Sequence, residues 1–370
     1  MKAARLYGLG TALPPHQAGQ ATVKRFMASL AEATLQGRRR AVTLDFLETI
    51  YASSGIAKRH SVLADYTKDS PEDFEFYPPN WALEPFPTTA ARMKVYERWS
   101  VDLAEAACRK ALRESGARPA EVTHLVLATC TGLFAPGPDI LLIGRLGLRP
   151  QVHRAVLGFM GCYAGFTGLR LAGQILGAEP GAVVLQVCVE LCSLHFQKKA
   201  LPDFIVANSL FADGAAAAVY ARPGRFPAGL ADLAATHSRV EADSLEHMSW
   251  RIGASGFEMR LDREVPARLK AAAPGFVKEL LDGAGIARGG SAWAVHPGGR
   301  KIVAEVQAAL GLTDSQVRSS LEVLSSCGNM SSGTILFVLD RELRRASRDP
   351  VAALGFGPGL TMEGAVLSRP

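Results

Sequence analysis

The chain has 370 residues, 48% of them hydrophobic and 21% charged, with mean hydropathy +0.11. That composition buries a sizeable core and excludes disorder. Lysine plus arginine exceed aspartate plus glutamate by 41 − 35 = 6 and the pI is about 9.0. So mild an excess suits anionic small substrates, and without dense basic clusters interleaved with aromatics it argues against nucleic acid.

An uncharged central stretch, Ala155 to Leu169, has 15 residues and four glycines. It is too short and too glycine-rich to span a bilayer, so no integral membrane association is expected. Met1 to Arg5 is basic, but Leu6 to Pro15 is broken by glycine and proline and lacks a signal-peptide core; the expected location is cytoplasmic. Six cysteines in mostly apolar surroundings read as free thiols. Cys188 and Cys192 lack the spacing and the partner ligands of a metal site, so no metal is expected.

In chain order, Ala4 to Leu13 reads as a strand ending at Pro14-Pro15. A helix is expected over Ala21 to Leu35, with Phe26, Leu30 and Ala33 on one face. Arg38-Arg39-Arg40 reads as solvated surface, and Asp69 to Pro87 as an irregular surface connection. Ser100 to Ser115 reads as helix, Val122 to Ala128 as a buried strand, and Asp139 to Leu146 as helix. Arg154 to Gly161 leads to Cys162 and a helix of small and apolar residues, Tyr163 to Leu176, expected to lie between sheets. Strand Ala182 to Val189 follows. Farther on, strand Ala292 to Val295 leads to His296-Pro297-Gly298-Gly299 and a helix from Arg300 to Leu310. An apolar helix, Thr334 to Leu339, a solvated basic stretch, Arg341 to Arg348, and strand Ala352 to Gly355 close the chain. Alternating strands and helices with apolar strands indicate an α/β fold with covered sheets. A break near Arg222 to Pro227 divides the chain into halves, 1–222 and 223–370.

Cys162 stands at a strand-to-helix junction. A helix N-terminus offers free amides and partial positive charge, which stabilise a thiolate and lower its pKa. The plainer alternative is a small buried hydrophobe. His296 ends a strand before Pro-Gly-Gly, a break that lets its ring enter a cavity, pair with the thiolate and donate to a carbonyl oxygen; otherwise it is a core histidine. Asn329 is a turn or capping residue, or a second donor to the same oxyanion. The spacing 296 − 162 = 134 also fits papain-like proteases, but Gly161-Cys162-Tyr163-Ala164-Gly165 lacks their second cysteine and aromatic.

Six motifs in order carry a stronger resemblance. They are Gly132 with Pro136-Gly137, Gly161 to Gly165, Leu210 to Ala217, His296 to Gly299, Gly328 to Ser332, and Gly355 to Thr361. Over nearly its full length the chain resembles the type III polyketide synthases, the chalcone-synthase-like enzymes. In the related β-ketoacyl-carrier-protein synthase III group, Gln-Ala-Asn follows the histidine, where Pro-Gly-Gly stands here.

The resemblance implies the thiolase fold, with duplicated α/β halves in αβαβα layers, and a homodimer. It implies that Cys162 is acylated by a starter thioester, and that His296 and Asn329 polarise malonyl-CoA and hold the developing oxyanions. Phe211 matches one gatekeeping phenylalanine, and Met259 stands at the second gate. Coenzyme A thioesters are substrates, and no cofactor is implied. Leu47 to Gly55 lacks the basic run of plant members, which moves the expected coenzyme A contacts to Arg300 and Lys301, beside Gly298 and Gly299. Cys130, Thr131, Ala135, Cys192, His195 and Ser331 fall at cavity positions. Small residues at Ala135 and Cys192 resemble bacterial alkylpyrone and alkylresorcinol synthases, in which a tunnel holds a fatty acyl chain. The expected reaction joins a medium- or long-chain acyl starter, on coenzyme A or a carrier protein, to malonyl-CoA units and then closes a ring. A short or aromatic starter, and a catalytically silent thiolase-fold binding protein, are the alternatives.

Overall fold

A computed structural model describes residues 4–369. The first half runs β1 (Arg5–Ala12), β2 (His16–Gly19), α1 (Gln20–Thr34), α2 (Gly37–Ser53), β3 (Lys58–Ser61), α3 (Thr89–Ser115), β4 (His124–Thr129), α4 (Pro138–Leu146), β5 (His153–Gly158), α5 (Ala164–Ala178), β6 (Val183–Leu191), α6 (Pro202–Leu210) and β7 (Asp213–Ala221). The second runs β8 (Ala231–Val240), β9 (Met248–Gly253), β10 (Gly256–Leu261), α7 (Val265–Ala284), β11 (Ala292–Val295), α8 (Arg300–Leu310), α9 (Asp314–Cys327), α10 (Thr334–Leu343), β12 (Val351–Gly357) and β13 (Thr361–Ser368).

Nine strands form one mixed sheet in the order β11-β12-β13-β8-β1-β7-β6-β4-β5. The seam between the halves is narrow: β1 meets β8 through only Arg5↔Asp232 and Leu6↔Ala231, and an Arg5 Nη2 bond to Asp232 at 2.8 Å fastens it. On one outer side α3 covers β1, β6 and β7; on the other, α7 covers β8 and β13. Helix α5 packs against β4, β6 and β13, and α10 against β1, β7, β11 and β12. The two helices therefore fill the middle layer, giving αβαβα. The small-residue helix after Cys162 lies between two halves of one continuous sheet rather than between separate sheets.

Small residues allow this closeness. A Cβ on Gly10 would stand 2.1 Å from the Ala107 carbonyl oxygen, so α3 presses on β1 only because glycine is there. Strands β6 and β7 are buried on both faces and read as unbroken apolar runs except at Gln186, Glu190 and Asp213.

Several sequence expectations need adjustment. Ala33 is exposed, and Phe26, Met27, Leu30 and Ala31 form the buried face of α1. Helix α3 begins at Thr89, capped by the Thr88 hydroxyl, eleven residues before Ser100. Helix α2 was not anticipated; only Thr43, Leu47 and Tyr51 are buried along its 17 residues, too shallow an apolar stripe to read. The Asp69 to Pro87 connection is irregular, yet Phe74 and Trp81 pack on Phe26, and Phe86 on Phe196. Strand β12 continues through Phe356 and Gly357, past the end at Gly355 expected from the sequence.

Candidate active site

Cys162 lies between the end of β5 and the first turn of α5, 8% exposed. Gly161 adopts φ +87°, a left-handed conformation favouring glycine, and a Cβ there would meet the Pro358 ring at 2.6 Å. Gly357 is similarly crowded by Tyr163. The closing Gly-Phe-Gly-Pro-Gly segment thus lies directly on the cysteine turn and joins the two halves at the site.

His296 follows β11 and donates its backbone N–H to the Leu354 carbonyl at 2.7 Å. The ring is buried, and neither nitrogen has a hydrogen-bond partner among the described residues. Asn329 follows α9. Its backbone N–H donates to the Leu210 carbonyl at 3.0 Å, and its carbonyl accepts from the Ala212 N–H at 2.9 Å. Asn329 Oδ1 accepts from the Ser331 N–H at 2.9 Å and the Thr334 hydroxyl at 3.4 Å. Nδ2 faces the Gly298 carbonyl at 3.3 Å. The turn role and the pocket-facing donor therefore coexist in one side chain.

Cys162, His296 and Asn329 line one cavity of about 580 Å³. Cys130, Thr131, Cys192, Phe211, Met259, Ser331, Gly298, Gly299, Arg300 and Lys301 line it too. Arg300 and Lys301 begin α8, are exposed, and have no ion-pair partner among the described residues. A second, smaller cavity of about 60 Å³ shares Cys192, Phe211, Trp250 and Met259 with the first and continues past Val23, Met27, Phe204 and Ala207.

Two predicted positions lie elsewhere. Ala135 is exposed on the loop before α4 and does not line its own chain's cavity. His195 lines only the smaller cavity. Its Nδ1 accepts from the Phe257 N–H at 3.0 Å, so Nε2–H donates to the Thr131 carbonyl at 2.7 Å. Its ring stacks on Phe257 at 4.1 Å.

The electrostatics also differ from expectation. Burial pushes the Cys162 thiol up to about 11, against hydrogen bonds from Ser331 and Asn329 that pull it down. Desolvation lowers His296 to about 4. Burial therefore favours the neutral thiol and the neutral imidazole, opposing the lowered thiol pKa expected from the helix N-terminus.

Sequence reasoning missed Glu190 and Trp250. Glu190 is fully buried on β6 and accepts from the Cys130 N–H (3.0 Å), Thr131 hydroxyl (2.7 Å) and Ser332 hydroxyl (2.5 Å). Burial raises its pKa. An acid inside an otherwise apolar strand was the available signal. Trp250 donates its indole N–H to the Cys130 carbonyl at 2.7 Å.

No group of three or more His, Cys, Asp or Glu among the described residues is placed to hold a metal, and no described helix is long and apolar enough to cross a membrane. Comparison with known proteins agrees with this geometry. Residues 2–223 match the family model for the chalcone and stilbene synthase N-terminal domain, and residues 233–369 match that for the C-terminal domain. A "Type III polyketide synthase pspB" from Penicillium soppii is 32% identical over 98% of this chain and 95% of its own length. "Probable polyketide synthase 1" from Dictyostelium discoideum is 31% identical over 98% of this chain, which spans only 11% of that larger protein. The crystal structure of the C-terminal type III domain of Steely1, a type I/III hybrid from Dictyostelium, superposes with TM-score 0.90 at 30% identity, covering 99% of each chain. The chain belongs to the chalcone and stilbene synthase family and is a type III polyketide synthase, an acyltransferase of the malonyl-CoA-dependent class with the thiolase fold.

Proposed function

We propose that this synthase condenses a medium- or long-chain fatty acyl thioester with malonyl-CoA units and closes the product to an alkylpyrone or alkylresorcinol ring. The observation that carries this reading is the pair of cavities meeting at Cys192. One holds the reactive groups; the other has an apolar side of Val23, Met27, Phe196, Phe204 and Ala207, against which methylenes would lie, facing polar groups such as Arg59, His195 and Gln197. Each buried CH₂ contributes about 0.8 kcal/mol.

In this reading Cys162 Sγ attacks the starter carbonyl, His296 takes its proton, and coenzyme A leaves as the thiol after protonation. Malonyl-CoA then loses CO₂. Its enolate oxygen is held by His296 and by Asn329 Nδ2, which Ser331 and Thr334 orient through Oδ1. The enolate carbon attacks the acyl-Cys162 carbonyl, the C–S bond breaks, and the lengthened chain leaves on coenzyme A. Arg300 and Lys301, beside Gly298 and Gly299 at the start of α8, would hold the coenzyme's anionic end. Phe211 and Met259 flank both cavities and would gate passage between them.

Family members generally act as dimers on acyl-CoA and malonyl-CoA. Strand β5 is a sheet edge, and the surface nearby exposes Leu133, Ile140, Leu141 and Val156. A homodimer through this face would bring Ala135 towards the partner's cavity. We read 1–222 and 223–370 as the two duplicated units, meeting in the segment between β7 and β8.

The test is product mass spectrometry with malonyl-CoA and a series of starters from acetyl to stearoyl, with adduct mapping on the intact protein. Long-chain starters should give the extended, cyclised products, and the acyl adduct should map to Cys162 and vanish in Cys162→Ala. Efficient turnover of short or aromatic starters alone would replace the substrate assignment. An adduct on another cysteine would overturn the site.

A further inference from the structure

Arg59 is a cation without a carboxylate. It lies on β3, 7% exposed, next to Lys58. The side chain turns inward. No acidic group among the described residues comes within ion-pair distance, and burying an unpaired charge costs several kcal/mol unless other groups satisfy it. Its Nη1 donates to the Asn208 carbonyl at 2.8 Å and the Phe211 carbonyl at 2.6 Å. Both carbonyls stand at the C-terminal end of α6, where the helix dipole places partial negative charge.

Those contacts reach the reactive wall. The Phe211 N–H donates to Ala207, and its carbonyl is held by Arg59, so its backbone is tied on both sides. Phe211 and Asn329 form an isolated parallel bridge through the Leu210–Asn329 and Asn329–Ala212 hydrogen bonds. On the other strand of that bridge, the Arg59 stem packs on Gly328. A Cβ there would meet Arg59 Cγ at 3.0 Å, and φ is +76°. One buried side chain therefore grips both strands of the bridge that presents Asn329 and Phe211 to the cavity.

We propose that Arg59 is a positioning residue for the condensation, setting the Asn329 amide and the Phe211 ring; its side chain also borders the smaller cavity, away from the reacting atoms. This rests on the roles proposed above for those two residues. Cys162 and His296 stand on other elements, the α5 turn and the end of β11, so acylation should be insulated from Arg59.

The experiment compares Arg59→Met, which fills space without donors, with Arg59→Lys, which can donate to both carbonyls. Two rates are read for each: single-turnover acylation of Cys162 by acetyl-CoA, a starter too short to reach the smaller cavity that Arg59 borders, and malonyl-CoA decarboxylation with condensation. A misplacement of about 1 Å in a catalytic group costs roughly 10²-fold. Arg59→Met should therefore lose between about 10- and 100-fold in kcat for decarboxylation and condensation. Its acylation rate and its KM for malonyl-CoA should stay within about threefold of wild type, and Arg59→Lys should recover most of the loss. Should Arg59→Met not fold, Arg59→Gln, which keeps one donor, is read in the same way. A folded variant with unchanged kcat overturns the proposal, as does an equal loss of acylation and condensation, which marks general damage. Asn329→Ala and Cys162→Ala serve as controls. If Asn329→Ala leaves decarboxylation intact, the reading of the site itself fails. If it abolishes decarboxylation while Arg59→Met does not affect it, only the Arg59 assignment fails.

Discussion

Two buried histidines show how this protein separates scaffold from chemistry. His195 is satisfied at both ring nitrogens, by the Thr131 carbonyl and the Phe257 N–H, and stacks on an aromatic ring. His296 is as deeply buried and satisfied at neither. Desolvation holds both neutral, pushed down to about 3 and about 4. A buried polar group left without a partner costs roughly 1–3 kcal/mol, and a fold retains such a cost where a ligand supplies the missing bond. His195 clamps the β9–β10 hairpin to the loop after β4; in the mechanism proposed above, His296 is the one that meets substrate. Glu190 and Asn329 Oδ1, both amply supplied with donors, belong with His195 as fixed parts.

Substitution to glutamine should separate the two sharply. His296→Gln should lose on the order of 10²–10³ in malonyl-CoA decarboxylation, the usual cost of removing a preorganised oxyanion donor, with little change in Tm. His195→Gln should lower thermal stability by about 1–3 kcal/mol through the two broken bonds, with a smaller effect on rate. Comparable rate losses in both variants, or a stability loss confined to His296→Gln, would erase the distinction.

The next effect concerns the cavity mouth. Reversing Arg300 and Lys301 to Glu should raise the KM for malonyl-CoA roughly tenfold or more, the scale of a lost charge-assisted contact. Hydrolysis of a truncated pantetheine thioester, which lacks the phosphates, should change little. Equal losses on the two substrates would point to damaged structure instead of lost phosphate contacts.

Stability against pH sharpens the comparison further. Between about pH 4 and 6.5 the unfolded chain binds protons that the native histidines refuse, so their contribution is full above 6.5 and falls as pH drops towards 4. Asp213 runs the other way. Burial raises it to about 6 from an ordinary 3.8, so the native state keeps a proton the unfolded chain has lost, and its contribution weakens as pH rises through that window. His296→Gln should flatten the acid-side fall in Tm between pH 6.5 and 4.5. An unchanged slope would mean that His296 carries a proton in the native state.

Much of this was legible in the residues, and the rest was hidden for identifiable reasons. Strand β11 and helix α8 stand at the expected bounds because an apolar run ends at Pro-Gly-Gly, an unambiguous stop. The family motifs placed Cys162, His296 and Asn329 before the cavity was seen, and the structure brings all three to its wall. Helix α3 begins before the expected Ser100, in a stretch where the buried groups include Arg92 and Tyr96, a charged and a bulky residue that do not read as a core face. Glu190 was invisible as a hub, since its donors come from positions 60 and 142 residues away. His195 lines the smaller cavity, and the resemblance that put it at a cavity position could not show which backbone groups occupy its nitrogens. The raised Cys162 pKa escaped for a similar reason: a helix start is visible in sequence, and the depth of burial that opposes it is not.

The most direct test of the central claim uses the wall between the two cavities. Cys192→Phe should close the passage from the reactive cavity towards Val23 and Met27. Such overpacking costs roughly 1–3 kcal/mol, so folding is verified first by circular dichroism and Tm. Relative kcat/KM is then measured for starters from acetyl to stearoyl with labelled malonyl-CoA. The folded variant should keep the short starters, lose the long ones, and shift its optimum to fewer carbons. A folded Cys192→Phe that extends long-chain starters as well as wild type does would contradict that claim.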